Sequence, residues 1–349
     1  MRDEDRKVRS LKRFRGAERE AVRIANDRIV TLNPPPGGHS LPLMVCANFD
    51  GVNLAAWAQG NEQLIHELLA RHGAILFRNF DVSGLLDLAQ FVRTISGDLL
   101  EYRERSSPRT HVMHNIYTST EYPAHQAIFL HNENSYAHTW PLKLFFLCSV
   151  PPLQDGETPI ADCRQIFNSI SPKIRDRFIQ KSIMYVRNFS EELGLSWQTA
   201  FGTTARAAVV SQCHEAGYEV QWTGANGLRT KRVGQAVARH PRTGEITWFN
   251  HATFFHVSTL EPELRDALLA QFGEEDLPNN TYYGDGSPIE ASVLDELRQA
   301  YKRAKVSLPW QAADILMLDN LLTAHGREPY VGPRQIRVAM SEPCTEQPI

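Results

Sequence analysis

Apolar positions along the chain follow two periods. Between Asn61 and Arg71, Leu64, Ile65, Leu68 and Leu69 recur at helical spacing, and Gly73 closes the run. Ala74-Ile75-Leu76-Phe77 then reads as a buried strand. Ser83–Ser96 returns to the helical period, with Ser83 placed to cap it. Ile128-Phe129-Leu130 is a short strand ending at His131, and Leu142–Val150 is a strongly apolar strand. Turn residues Pro151-Pro152 and Asp155-Gly156 follow, before extended chain over Thr158–Asp162. The middle, roughly 164–235, reads as mostly helical, with one helix starting at Ser171-Pro172. Thr247-Trp248-Phe249 reads as strand, and Glu261–Phe272 and Ser292–Lys305 as helices. Val306–Leu308, Asp314–Asp319 and Gln335–Met340 carry strand signals. Strands at both ends of a central helical insertion, at about 164–245, predict an α+β fold with a β core.

Composition narrows the class. With 42% hydrophobic and 22% charged residues, the 349-residue chain reads as an ordinary globular protein, not a disordered one. A net charge of −3 argues against a general nucleic-acid binder. No apolar run reaches the ~18 residues of a membrane span. No secretory core follows the N-terminal charges, and the five scattered cysteines fit free thiols. A cytoplasmic location is therefore expected. Charge is uneven: residues 1–28 hold ten Lys/Arg and six Asp/Glu. Residues 1–36 are expected to be a solvated basic arm, with a nucleic-acid or carrier-domain contact as the sharper reading. Asn33-Pro34-Pro35-Pro36-Gly37-Gly38 marks the entry to one main domain over 37–349.

The thirteen histidines pose the chemical question of which, if any, bind a metal. His131-Asn132-Glu133 on extended chain would point an imidazole and a carboxylate to one face. With thirteen histidines and 40 acidic residues, roughly 1.5 such pairs arise by chance, so this motif alone is weak. His325 follows the strand signal Ile315–Leu318 and is expected near the start of a C-terminal loop. Two histidines and one carboxylate make the facial triad of non-haem Fe(II) oxygenases. Arg334, nine residues beyond His325, could take a carboxylate in two parallel hydrogen bonds, and Thr158 could add a hydroxyl donor. His111, His114, His125 and His138 read as non-ligands.

His131-x-Glu133, Thr158 in Gly156–Asp162, Asp319-Asn320…His325-Gly326-Arg327, and Arg334, in that order, resemble the TauD/TfdA superfamily. These are Fe(II)/2-oxoglutarate-dependent oxygenases related to taurine dioxygenase and clavaminate synthase. The wording His131–Tyr136, followed by Trp140-Pro141, is similar to the branch of the syringomycin-pathway aspartyl hydroxylase.

The resemblance implies a double-stranded β-helix, or jelly roll, with flanking helices and the insertion as a lid. It implies His131, Glu133 and His325 as iron ligands. Arg334 would hold the distal carboxylate of 2-oxoglutarate with Thr158 assisting, and Arg337 and Arg327 are fallbacks. Some members carry a second arginine four residues after the first. Here that position is Val338, so a sulfonate substrate loses support.

The reaction implied consumes O₂ and 2-oxoglutarate and hydroxylates an amino acid, or an intermediate made from one, in natural-product biosynthesis. Free and carrier-bound substrates both fit this reading. Desaturation or epoxidation would use the same residues. Halogenation is disfavoured because Glu133 fills the position that chloride would need. Asn250, Trp248 and Arg78 are candidate substrate contacts. The competing readings are a non-catalytic module that binds 2-oxoglutarate or metal, and a zinc hydrolase using the same triad.

Overall fold

A computed structural model describes residues 26–102, 104, 106–107, 109–120 and 122–345. Most of the basic arm lies outside the described residues. The arm's last part does not: Val30–Asn33 pairs antiparallel with Leu43–Ala47 and forms the edge of the main sheet. Four residues ahead of a proline run carry too little alternation to be read as a strand.

Two sheets make the jelly roll. The larger has eight strands, in the spatial order Val30–Asn33, Leu43–Ala47, Ala74–Arg78, Ile315–Asp319, Thr139–Val150, Gln335–Thr345, Ile116–Thr118 and His111–Met113. The smaller runs Lys305–Val306, Ile160–Asp162, Thr323–Arg327 and Ile128–His131.

The apolar run at Thr139–Val150 now has its physical reason, because both faces of this central strand are covered. Phe145 and Leu147 join Ile75, Phe77, Ile315 and Met317 against the helices Leu54–Gln59, Glu62–His72 and Leu85–Ser96. Leu144, Phe146 and Cys148 join Leu76, Leu316, Leu318, Ile336 and Val338 on the inner face. A strand buried on both sides loses its alternation of apolar and polar residues.

Helix ends follow local chemistry. Glu62–His72 stops at Gly73, whose φ of 74° is left-handed and whose N–H returns to Leu69 O. Leu85–Ser96 is not capped by Ser83. Gly84 precedes the helix, and the Asp87 carboxylate reaches back to the Ser83 N–H and hydroxyl, at 2.7 and 2.6 Å. The Ser83 hydroxyl is spent as a donor to Asp87 and is not offered as the cap acceptor.

The insertion differs from the sequence reading. It runs from Cys163 to Ala304, beyond the 164–245 expected, and it is not mainly helical. Ile183–Phe189, Glu219–Thr223, Gly227–Gly234 and Asn279–Tyr283 form a four-stranded antiparallel sheet within it, and Val237–Arg239 pairs with Ile246–Trp248. Thr230 and Arg232 occupy inward positions of Gly227–Gly234, so the strand lacks the apolar alternation that would have announced it. The insertion leaves the small sheet at Asp162 and returns at Lys305. Its two ends are hydrogen-bonded neighbours, with Lys305 opposite Ala161 and Val306 opposite Ile160. All five cysteines are free. Among the described residues, no helix is long and apolar enough to cross a membrane.

Candidate metal centre and cosubstrate cavity

Strand register assembles the centre. His325 lies inside Thr323–Arg327, not in the loop expected from sequence, because a new strand, in the smaller sheet, begins after the turn at Asn320. It stands directly opposite His131, the last residue of Ile128–His131. Antiparallel partners present side chains on one face, and the two imidazole centroids are 4.5 Å apart. Gly326 makes this approach possible, since a Cβ there would sit 2.5 Å from Ile128 O. Beyond the strand end, Glu133 turns back to the same face. One ligand atom from each of His131, Glu133 and His325 lies within 4.8 Å of the others, and all three residues are buried.

The segment bearing Glu133 is clamped. Asn320 accepts from Glu133 N at 2.8 Å through its side-chain oxygen. Its amide nitrogen donates to Glu133 O and Pro141 O, both at 2.9 Å. Asn132, turned away from the centre, donates to Asn320 O at 2.7 Å. Both asparagines are fully buried. The clamp ties together two ligand-bearing segments almost two hundred residues apart in sequence.

The donors suit a divalent metal. His131 Nδ1 donates to Phe129 O at 2.8 Å, which leaves Nε2 as the open lone pair. Burial lowers the pKa of His131, against the pull of Glu133. Burial, with His131 and Arg109 nearby, takes His325 well below its ordinary value. Both rings are therefore neutral, as ligation needs. His325 Nε2 faces Glu133 Oε2 at 3.9 Å, and its Nδ1 is buried without a partner. Phe254, from the insertion, stacks on His131 at 4.5 Å, and His251 lies 5.7 Å from the same ring.

Next to the triad is a cavity open to solvent on one side, with about 370 Å³ of empty space counting that open part, lined among others by His131, His325, Phe146, Ile336 and Val338. Thr158 and Arg334 share it. Arg334 donates to Gly156 O at 2.8 Å and to Thr158 Oγ at 3.3 Å. Burial, with Arg327 as a like charge nearby, lowers its pKa to about 10. Arg327 also lines the cavity, but it donates to the carbonyls of Tyr122, Pro123 and Gln126 and so holds that loop.

Four sequence candidates fall elsewhere. Arg337 lies on the strand face opposite Ile336 and Val338 and donates to Gln335 Oε1. Period two puts a residue at that spacing outside the cavity. Arg78 makes a two-point pair with buried Asp314, at 2.9 and 2.6 Å, which locks the end of its strand. Trp248 is fully buried and packs edge-on against Phe178 at 5.2 Å, in the core of the insertion. Asn250 is used up by its own turn, donating to Ala236 O and accepting from Ala252 N. His111, His114, His125 and His138 are not in the cluster.

The sequence reading missed Arg109. Its guanidinium meets Glu133 Oε2 at 2.7 Å and lies over the Tyr102 ring at 4.6 Å. It sits in a stretch without periodicity, and nothing in its neighbours marked it. His251 and Phe254 were missed for the same reason.

A jelly roll that gathers two neutral imidazoles and a carboxylate on one face is the scaffold of a facial-triad metalloenzyme. The chain belongs to the taurine catabolism dioxygenase TauD, TfdA family, which it matches over residues 36–340. Dapdiamide synthesis protein DdaC of Enterobacter agglomerans is 39% identical over 279 residues, covering 80% of this chain and 85% of DdaC. Among solved structures, PvcB is described as an Fe, alpha-ketoglutarate dependent oxygenase from an isonitrile synthetic pathway. It shares the fold at a TM-score of 0.54 and 15% identity, over 92% of this chain and 94% of PvcB. AAD-2, solved with Mn(II) and N-oxalylglycine, does so at 0.53 and 12% identity, over 91% and 98%.

Proposed function

We propose that the protein is an Fe(II)- and 2-oxoglutarate-dependent oxygenase that hydroxylates an unactivated C–H of an amino acid or an amino-acid-derived intermediate, free or carrier-bound, in a biosynthetic pathway. The observation that carries this reading is the convergence of the His131, Glu133 and His325 side chains with Arg334 and Thr158 around one cavity. The dapdiamide synthesis relative supports the biosynthetic setting.

His131, Glu133 and His325 would hold the iron on one face and leave the opposite positions open. Bound iron, with O₂ and 2-oxoglutarate, would supply the oxidising power for the C–H bond: one oxygen atom would go to the substrate and the other to succinate, with CO₂ released. Arg334 would take the distal carboxylate in charge-assisted hydrogen bonds, and the Thr158 hydroxyl would fix its approach. Phe146, Ile336 and Val338 make the wall apolar, which excludes water and strengthens those bonds. The backbone carbonyl of Phe129 fixes the His131 tautomer. Phe254 and His251 would bring the insertion to the metal, where it forms the substrate side of the site.

The test is 2-oxoglutarate turnover with Fe(II) under air, against free and carrier-loaded amino acids, read as succinate and as substrate mass. Gain of one oxygen atom is expected. Bound iron with no succinate from any candidate would favour a non-catalytic binding module. His131→Ala should abolish iron binding and turnover together, and retained turnover would overturn the assignment.

A further inference from the structure

The second cation at the metal points to the chemistry of the substrate. Arg109 leads into the strand His111–Met113, and the rungs Thr118 N to Thr110 O and Thr110 N to Thr118 Oγ hold its neighbour to the facing strand. Its side chain is only 4% exposed. One nitrogen, Nη2, is taken by Glu133, while Nε and Nη1 are buried without a hydrogen-bond partner. Arg109 lines the same cavity as His131, His325 and Arg334. A buried guanidinium with unmet donors is costly, and the natural remedy is an oxygen anion in the cavity.

Charge points the same way. With iron and 2-oxoglutarate in place, as the proposed function requires, the metal brings two positive charges and Arg109 and Arg334 one each. Glu133 brings one negative charge and 2-oxoglutarate two. One positive charge is left over, and Arg327 adds another. Among the described residues, none of the side chains lining the cavity is acidic. A loaded site that remains positive selects an anion.

We propose that Arg109 binds a carboxylate of the substrate beside the metal, so that the protein acts on acids and not on their neutral amides or esters. Nη2 stays on Glu133; Nη1 and Nε point to different edges of the guanidinium, and the substrate carboxylate takes one of these two donors. Val338, four residues after Arg334, leaves its part of the cavity wall apolar, and Arg109 supplies the anion contact from a different segment.

The test uses acetate as the smallest carboxylate. Protein loaded with Mn(II) and N-oxalylglycine is titrated with carboxyl-labelled acetate, and the relaxation of the labelled carbon by Mn(II) is followed. Wild type should show a saturable enhancement, and acetamide should show none. Arg109→Lys should weaken acetate at least about tenfold, because an ammonium cannot hold Glu133 and a second carboxylate on separate edges of one planar group. N-oxalylglycine affinity should stay within about threefold. Arg109→Met should abolish the acetate effect, and if it fails to take up Mn(II) the lysine variant decides.

No saturable enhancement in wild type would overturn the proposal, as would an unchanged response in Arg109→Lys. A fall in N-oxalylglycine affinity with acetate unaffected would assign Arg109 to the cosubstrate and overturn it too. Failure of wild type to bind Mn(II) or N-oxalylglycine at all would instead refute the oxygenase reading on which this inference rests.

Discussion

Replacing Asn320 by alanine tests whether the asparagine clamp holds the metal centre in shape. The side chain is fully buried and makes three hydrogen bonds: from Glu133 N at 2.8 Å, and to Glu133 O and Pro141 O at 2.9 Å each. Alanine removes all three and strands one N–H and two carbonyls in the interior. Each unmet buried group costs about 1–3 kcal/mol, the lower end applying if a water enters the space. The expected loss is about 3–5 kcal/mol, a large part of the roughly 5–15 kcal/mol that holds a domain folded.

The main chain of Glu133 would also be freed to move. Loss of a group that orients a ligand costs about 10–100-fold in metal affinity. Urea unfolding of the metal-free protein, followed by tryptophan fluorescence, gives the first quantity as a lower midpoint at constant slope. Mn(II) titration gives the second. Asn320→Asp sharpens the test: it keeps the acceptor for Glu133 N but sets a charged oxygen against two carbonyls, so it should be no better than alanine. A stability loss under about 1 kcal/mol with unchanged Mn(II) affinity would refute the clamp.

Arg334→Ala should raise the dissociation constant of 2-oxoglutarate about 100-fold, from roughly 3 kcal/mol of lost charge-assisted bonding. An unchanged anaerobic titration would move the cosubstrate elsewhere. Arg78→Ala should cost about 3 kcal/mol of stability by stranding buried Asp314, yet leave 2-oxoglutarate affinity alone. A selective loss of substrate binding would restore Arg78 to the site.

Burial, reinforced by Arg298 and opposed by Glu274, lowers the His256 pKa from 6.5 to about 4. The unfolded chain therefore binds the proton more readily, and stability should fall as pH drops from 6.5 towards 4. His131, His251 and His325 act in the same direction, so the test is a difference. His256→Gln should flatten the pH slope relative to wild type, and equal slopes would count against it.

How much of this was legible depended on what kind of signal each residue left. His131 and Glu133 stand two apart on extended chain, and that spacing already set them side by side. His325 was found by its order relative to Thr158 and Arg334, though its strand was taken for a loop. Arg334 and Thr158 sit together because Gly156 turns the chain back beneath them.

Other features left weaker traces. Asn132 and Asn320 lay inside the quoted motifs, but an asparagine that serves a neighbour's backbone looks like any other. The sheet of the insertion stayed hidden because buried Arg187, Thr230 and Arg232 occupy strand positions that are normally apolar. Arg109 depends wholly on tertiary folding: no local period relates it to a carboxylate 24 residues away. Trp248, Asn250 and Arg78 show the opposite error, where residue types suited to recognition are consumed by packing, a turn and an ion pair.

The pairing of Lys305–Val306 with Ile160–Asp162 has a consequence for how such a protein can diversify. The insertion leaves and rejoins the barrel on two adjacent rungs, and it shares a core with Leu130 and Ala324, the neighbours of His131 and His325, so its outer parts can change in length and sequence while that shared core is kept. Phe254 and His251 are the contacts it makes with the His131 ring. Exchange of this segment between relatives, joined at those two rungs, is therefore a route to new selectivity on an unchanged reaction centre, in the laboratory as in descent.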